Sequence, residues 1–361
     1  MPITINRETL LREVNICRMC QNSASNELTL SAEGDMLTLY AGNLITYMTR
    51  IPCMMMGDDA FDCSLPCKQM HALISTMNAS AITLRGDGAA HQLHVFAKTD
   101  DIHTIKVDLN TLAHVVDRPE CVDTSEAFAA IDAKALRRAI SIVASAASGD
   151  PRFPVIALDF TRGDGKVHVV ATDGRQLKRV VVDADYSGSR LVLLPREAVP
   201  VFSRAIDGDG ILRLACTDER NIFTLNERSL ICAKPAFDFP MTYARILETE
   251  NAKQVRVNAD LLCGAFTRAM ATIREDIVTA CDVILLGTRM EITAHNQYGD
   301  YYECVPCESD HDSISFKVSA QYMRDVLSHA HGDVSLFLPA GNPFVMLHYH
   351  DYSAAVATMR G

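Results

Sequence analysis

The feature that most restricts what this chain can become is an internal repeat. Segments 5–14, 131–140 and 257–266 each place an aliphatic residue before a short polar starter, then space apolar residues as an amphipathic helix does. Leu11, Leu136 and Leu262 correspond, at spacings of 125 and 126 residues. A second series, 65–74, 194–203 and 318–327, falls about half a period later. Each member is a β-rich run entering a helix whose first turn accepts Pro or Ser. Pro200 lies inside the middle helix and predicts that it is shortened or bent. Chance can produce one pair of such helices, but three in register point to three units of about 125 residues, each made of two helix-plus-sheet halves.

Between the helices the apolar period drops to two. Residues 27–30 precede a turn at Glu33-Gly34-Asp35 and a second run at 36–40; 155–160 and 166–170 flank Gly163-Asp164-Gly165; 283–286 and 290–294 repeat the layout. Asp-Gly between alternating runs predicts hairpins, here and at Asp87-Gly88 and Asp209-Gly210. Arg85-Gly86-Asp87 and Arg162-Gly163-Asp164 read as ordinary turns rather than adhesion tripeptides. Asp207-Gly208-Asp209-Gly210 lacks the downstream Glu of a calcium loop.

Composition narrows the function class. No run approaches the roughly 18 consecutive apolar residues of a membrane span. Residues 1–7 have neither the basic start nor the apolar core of a signal peptide, so a soluble cytoplasmic protein is expected. The twelve cysteines include two C-x-x-C pairs, Cys17/Cys20 and Cys304/Cys307. A four-thiolate zinc site would need both. The first pair falls on a predicted helix, so reduced, mostly buried thiols are the better reading.

The formal charge is −11, too acidic for a protein that simply coats nucleic acid. Sorting by element changes the picture. The six helix windows 7–20, 65–77, 132–146, 195–207, 258–276 and 319–331 hold 12 Lys and Arg against 9 Asp and Glu, an excess of +3 that leaves −14 for the remainder. Several of those acids stand at helix ends, where capping accounts for them. The helix bodies keep Arg7, Arg12, Arg18, Lys68, Arg137, Arg138, Arg196, Arg204, Arg268, Arg274 and Arg324. A basic helical layer on an acidic sheet layer suits a protein that meets phosphates on one surface, although solvated helix faces carry such charges too. No base-reading basic cluster and no tryptophan occur, so any DNA contact should be salt-sensitive and without sequence preference.

One segment is specific: Val169-Val170-Ala171-Thr172-Asp173-Gly174-Arg175-Gln176-Leu177. It resembles the Ala-Thr-Asp-Gly-x-x-Leu segment of bacterial sliding clamps, the β subunits of replicative DNA polymerase. Residues 150–155, 239–247 and 356–361 fit as well, and with the repeat the resemblance covers essentially the whole chain. It is weakest over residues 20–64. The resemblance implies an α+β chain of three clamp domains, 1–124, 125–249 and 250–361, each with two helices packed on antiparallel sheets. Two chains would join head to tail as a homodimer ring around double-stranded DNA, with helices lining the hole. Such a clamp tethers the polymerase, is opened by a clamp loader, needs no cofactor and is not an enzyme. The absence of a phosphate-cradling G-x-x-x-x-G-K-[ST] loop agrees.

The same resemblance implies a groove for a short partner peptide, carried by Val155, Thr172, Gly174, Arg175, Leu177, Pro240, Arg245, Ile246, Ala355, Ala357, Thr358, Met359 and Arg360. An apolar pocket with a few polar groups is suitable chemistry, though Leu177 and Ile246 equally suit a plain core. Arg175-Gln176 stands where many clamps have His-Arg, and 357–361 where they end Met-Pro-Met-Arg-Leu. Those departures predict a wider pocket and a shifted partner motif. DNA-facing candidates are Arg7, Arg12, Lys68, Arg137, Arg138, Arg196, Arg204, Arg268 and Arg324, with Arg152 and Phe153 near the ring face or on an idle surface loop. The dimer contact is expected between Val107 and Leu109 on an edge strand and the helix end at Ala271, Thr272 and Ile273, where small residues predict a dimer that dissociates readily.

Two rival readings remain. A metal enzyme could use His348 and His350, or His329 and His331, although no third ligand is identifiable. A clamp-like scaffold could bind proteins without holding DNA.

Overall fold

The computed structural model describes residues 2–21, 26–55, 60–99, 103–119, 126–147, 154–248, 252–273, 279–297, 299–309, 311, 313–338 and 343–359. Arg152, Phe153, Arg274 and Arg360 lie outside them.

The element order repeats three times. The first copy opens with β1 (Ile3–Asn6), α1 (Arg7–Met19), β2 (Glu27–Glu33), β3 (Met36–Gly42) and β4 (Ile45–Pro52). It continues through the short β5 (Met54–Met55), β6 (Phe61–Pro66), α2 (Cys67–Thr76), β7 (Ala81–Asp87), β8 (Gln92–Lys98) and β9 (Thr104–Asn110). The second runs β10 (Ala129–Asp132), α3 (Ala133–Val143), β11 (Val155–Asp159), β12 (Lys166–Thr172) and β13 (Gln176–Tyr186). It closes with β14 (Leu191–Pro195), α4 (Val199–Ala205), β15 (Ile211–Cys216), β16 (Arg220–Leu225), β17 (Arg228–Ala233) and a short α5 (Tyr243–Ile246). The third is β18 (Lys253–Asn258), α6 (Ala259–Thr272), β19 (Ala280–Leu286), β20 (Arg289–Asn296) and β21 (Gly299–Glu308). β22 (Ser313–Ser319), α7 (Ala320–Leu327), β23 (Asp333–Leu338), β24 (Phe344–Tyr349) and β25 (Tyr352–Ala357) complete it.

The polar starters seen in the sequence are helix caps. Asn6 Oδ1 accepts from Thr9 N–H at 3.0 Å, Asp132 Oδ1 from Ala135 N–H at 2.7 Å, Asn258 Oδ1 from Leu261 N–H at 3.0 Å and Ser319 Oγ from Tyr322 N–H at 3.4 Å. The apolar stripes face inward: α1 buries Leu10, Val14 and Cys17, α6 buries Leu262, Ala265, Phe266 and Ala269, and α7 buries Met323, Val326 and Leu327. Leu10, not Leu11, is thus the buried residue in register with Leu136 and Leu262. Each fully buried Leu or Phe contributes roughly 1.5–3 kcal/mol. The middle second-series helix differs from its fellows. A single 3-10 turn at Arg196–Ala198 precedes the seven-residue α4, and Pro200 stands in the first turn of α4, where its missing N–H costs nothing. One expected hairpin is absent: Asp209-Gly210 joins α4 to β15, and Gly210 takes φ +130° as the chain turns from helix to strand.

Every ladder among the described residues is antiparallel, and the chain packs as two compact units. The first comprises Met1–Arg137, Ala184–Gly188 and Glu197–Pro235. Its large sheet runs β6-β2-β3-β4-β17-β16-β15-β10, so a strand of the first copy pairs directly with one of the second, Thr46 with Ile231 and Thr49 with Arg228. A smaller sheet runs β5-β1-β7-β8-β9. The second unit comprises Arg138–Asp183, Ser189–Arg196 and Ala236–Gly361. There β14-β11-β12-β13-β25-β24-β23-β18 repeats the arrangement, with Leu177 opposite Ala355, and β22-β19-β20-β21 follows. Because each large sheet straddles two copies of the repeat, the compact units cut through the middle copy.

Both seams are braced by buried charge. In the first unit Glu13 of α1 is fully buried; Tyr47 donates to its Oε2 at 2.5 Å, while Arg228 Nη2 and Arg12 Nε donate to Oε1 at 2.6 and 2.9 Å. In the second unit Lys178 Nζ, also fully buried, meets Asp325 Oδ2 at 2.9 Å and Ser145 Oγ at 2.7 Å. Burial lowers the Lys178 ammonium below its usual value, although Asp325 pulls the other way.

Candidate functional site

In the second unit the hairpin tip between β12 and β13 is built from the Thr-Asp-Gly segment. Asp173 Oδ1 accepts from both Arg175 and Gln176 N–H at 2.8 Å, while Thr172 Oγ1 donates to Gln176 O at 2.7 Å and accepts from Gly174 N–H at 3.1 Å. Gly174 takes φ +82°, which a side chain would resist. The tip is therefore held by side chain-to-backbone bonds in place of a longer ladder. Ala357 N–H donates to Arg175 O at 2.8 Å, attaching the C-terminal strand beside it.

Against this tip the segment 239–247 forms a depression of about 160 Å³ lined by Thr172, Gly174, Arg175, Gln176, Leu177, Pro240, Thr242, Tyr243, Ile246 and Phe344. Its floor belongs to an apolar cluster of Val155, Ala157, Val170, Leu177, Phe239, Tyr243, Leu247, Met346 and Ala355. Thr172, Gly174, Arg175, Leu177, Pro240 and Ile246 thus come together as expected by motif. Val155 and Ala355 lie beneath as core, and Leu177, 3% exposed, serves as both core and floor. Arg245 is exposed on α5 and does not line the depression. Thr358 and Met359 line a separate hollow with Asp282, Val283, Ile284, Ser315, Phe316 and Lys317, while Ala357 is half-buried. Gln176, Thr242, Tyr243 and Phe344 line the depression in addition to the residues that the motif implies. Gln176, Thr242 and Tyr243 stand inside the segments that carry the resemblance, whereas nothing local distinguishes Phe344.

Tyr243 is the wall's anchor. Its hydroxyl donates to Asp159 Oδ2 at 2.5 Å, its ring meets Phe239 edge-on, and the Arg162 guanidinium stands 5.5 Å from the ring centre. Burial works to raise the Asp159 carboxyl, but hydrogen bonds from Thr161 and Tyr243 outweigh it and hold the group below its ordinary value. Burial and then the Asp159 charge push the Tyr243 hydroxyl up, so it stays a donor.

The basic helix residues divide into two groups. Arg7 donates to Ile74 O and Ser75 O at the end of α2, Arg12 is bound to Glu13, Arg137 to Asp207, Arg138 to Asp351 at 2.6 Å, and Arg268 forks onto Glu303 at 2.8 and 2.6 Å. Lys68, Arg196, Arg204 and Arg324 are exposed and form no ion pair among the described residues. The second group has charge to offer a phosphate, as does Arg7, whose partners are neutral carbonyls.

At the expected dimer contact, β9 is the outermost strand of its sheet; Val107 is half-buried and Leu109 buried. Ala271 and Thr272 are exposed, whereas Ile273 is 1% exposed and packs within its own unit. The rival metal pairs fare differently from one another. Cys304 and Cys307 stand three apart on β21 and so face opposite sides of the strand. His350 lies in a turn at φ +53°, off the strand that carries His348, and His331 is bound to Asp260 at 3.0 Å. No cluster of three or more potential metal ligands occurs among the described residues. Burial pushes the Cys20, Cys67 and Cys232 thiols up to about 12, leaving them protonated. No helix among the described residues is long and apolar enough to cross a membrane.

No protein-family model and no curated protein match the chain. Solved structures do. The chain shares its fold, over 100% of both chains, with the DNA polymerase III subunit beta from Pseudomonas aeruginosa at 21% identity and a TM-score of 0.88. The same holds for the sliding clamp from that organism bound to griselimycin, at 21% and 0.86, and for the DNA polymerase sliding clamp from Caulobacter crescentus, at 20% and 0.84. The architecture is therefore that of the DNA clamps, mixed α and antiparallel β, from end to end.

Proposed function

We propose that this chain is a non-enzymatic DNA sliding clamp of the cytoplasm, with domains 1–124, 125–249 and 250–361. Two copies close head to tail into a ring around duplex DNA, and the ring tethers a polymerase. The observation that carries the reading is the clamp fold over the full length of chain and relatives, together with one open sheet edge of each kind among the described residues, on β9 and on the 299–306 stretch of β21. The mechanism is topological. Holding requires encirclement, while sliding requires weak, water-screened phosphate contacts spread over several helices. Lys68, Arg196, Arg204 and Arg324 supply those contacts, with Arg152 and Phe153 as further DNA-contacting residues. The depression against Leu177, Ile246 and Tyr243 anchors apolar side chains of a short peptide from the polymerase or the clamp loader, and Arg175 binds its carbonyls or acids. Arg245 and Arg360 are the further basic groups offered to the same peptide.

The test is retention on nicked circular DNA after loading, followed by linearisation. A clamp stays on the circle at salt that strips ordinary binders and runs off the ends when the circle is cut. The internal pairing of Arg12, Arg137, Arg138 and Arg268 favours one alternative, a clamp-shaped protein scaffold without DNA. That alternative predicts no retention on either form.

A further inference from the structure

The ladders align the three copies strand by strand. Four residues before each first helix stand Ile3, Ala129 and Val255. They pair with Leu84, Leu214 and Leu336, these with Val95, Phe223 and Leu347, and these with Val107, Leu230 and Ala354. β9, β17 and β25 are therefore equivalent. Four residues before each second helical segment stand Cys63, Val192 and Phe316. Their ladders lead through Leu30, Leu158 and Val283, then Leu39, Val169 and Ile292, to Thr49, Val180 and Glu303. β4, β13 and β21 are equivalent in turn. Two of these edges are already joined: Thr49 faces Arg228, and Val180 faces Tyr352. Among the described residues β9 and the 299–306 stretch of β21 keep free edges of the two complementary kinds, since only Cys307 and Glu308 of β21 pair further, with β18. Their side chains show the lack of a neighbour. Tyr301 is half-buried where its equivalents Tyr47 and Lys178 are fully buried, and Val107 is half-buried where Leu230 and Ala354 are buried.

Transferring the internal register sets Glu303 opposite the partner's Ile105, Tyr301 opposite the partner's Val107, Tyr302 opposite the partner's Lys106 and Cys304 opposite the partner's Thr104. It also sets Asp300 opposite the partner's Asp108. The internal seams carry Thr46 against Ile231 and Leu177 against Ala355 at that position. We propose that, where a second copy closes on β21 in this register, the carboxylate of Asp300 stands opposed to that of the partner's Asp108 and weakens this seam relative to the two internal ones. This rests on the ring reading above.

The geometry leaves the repulsion only partly relieved. Asp108 is 41% exposed with His94 Nδ1 at 2.6 Å, and His94 in turn stands 4.0 Å from a second carboxylate, Asp87; Asp300 is 82% exposed beside His295. The nearest cation on the approaching edge, Lys106, lies two pairs along the ladder and is drawn over the Phe96 ring at 5.7 Å. Like charges directly opposed across a ladder destabilise it. The inner face of the seam has no such conflict: Tyr301 donates to Ala265 O at 2.8 Å, and Glu303 is held by Arg268.

Two measurements test the register and the weak point separately. At the equivalent positions of the internal seams, Arg50 N–H donates to Glu227 O at 3.0 Å and Val181 N–H to Asp351 O at 2.9 Å, so Cys304 and the partner's Thr104 would form a hydrogen-bonded pair. Such pairs hold their Cα atoms about 5.5 Å apart, within the range of a disulfide. Thr104→Cys, oxidised, should yield covalently joined chains through the exposed native Cys304, and Cys304→Ser should abolish the product. Sedimentation should then show Asp300→Asn and Asp108→Asn each tightening the dimer about two- to fivefold per seam, with the double variant no tighter than either single. A dimer that gives no Cys304-dependent product overturns the register. A cross-linked dimer that Asp300→Asn fails to tighten overturns the weak point. A chain that stays monomeric at every concentration overturns the ring reading itself.

Discussion

Replacing Tyr243 by Phe removes one oxygen atom from the wall of the groove and should show what holds that wall. The hydroxyl is the donor on Asp159 Oδ2, and the Asp159 side chain is fully buried. A hydrogen bond to a charged group contributes about 1.5–3 kcal/mol. Asp159 keeps Thr161 N–H at 2.9 Å, Thr161 Oγ1 at 2.6 Å and Arg162 at 3.6 Å, so it is weakened rather than orphaned, and the loss should fall near the lower bound, about 1.5–2 kcal/mol. In a unit of this size that lowers the melting temperature by about 3–8 °C. The effect must also depend on pH. The folded Asp159 carboxyl lies below its ordinary value, so its contribution is complete above about pH 4 and is lost as pH falls through the depressed folded value. Thermal melts of wild type and Tyr243→Phe should therefore differ fully at pH 7 and converge on acidification. A difference below about 0.5 kcal/mol, or one of equal size at pH 7 and pH 3, would refute the assignment of this bond as the wall's anchor.

Three further outcomes follow from the same contacts. Ile246→Ala, at a half-buried position on the groove wall, should weaken binding of an apolar clamp-binding peptide about tenfold by fluorescence anisotropy while leaving the melt within about 1 kcal/mol of wild type. Arg324→Ala and Lys68→Ala should each lower the salt dependence of DNA affinity by about one unit of slope, and Arg268→Ala should lower it less because Glu303 already holds that charge. Glu13→Ala strands Arg228 and the Tyr47 hydroxyl in the first seam and should cost about 3–5 kcal/mol in a urea melt, with Glu13→Gln costing clearly less.

The helices and hairpins were legible in the chain because their signals are local. A capping Asn, Asp or Ser, an apolar residue every third or fourth place, and Asp-Gly between alternating runs act within a few residues of themselves, and Asn6, Asp132, Asn258 and Ser319 cap where the pattern put them. The hairpin tip of the groove was equally visible, since Thr172, Asp173 and Gly174 satisfy one another. Asp209-Gly210 shows the limit: the same dipeptide turns a helix into a strand as readily as it closes a hairpin, and only the flanking elements decide. The charge count illustrates a second limit. Eleven basic helix residues look alike in sequence, but whether a guanidinium is free depends on a carboxylate far along the chain: Asp207 for Arg137, Asp351 for Arg138, Glu303 for Arg268. Glu13 reads as a solvated helix acid until Tyr47 and Arg228 close over it. Sequence by itself thus determined the threefold order, the caps and the turn chemistry, because each depends on neighbours in the chain. Which sheet edges are joined, which are left open, and which charges are already neutralised were decided only by tertiary structure, because those contacts unite residues that no local pattern relates.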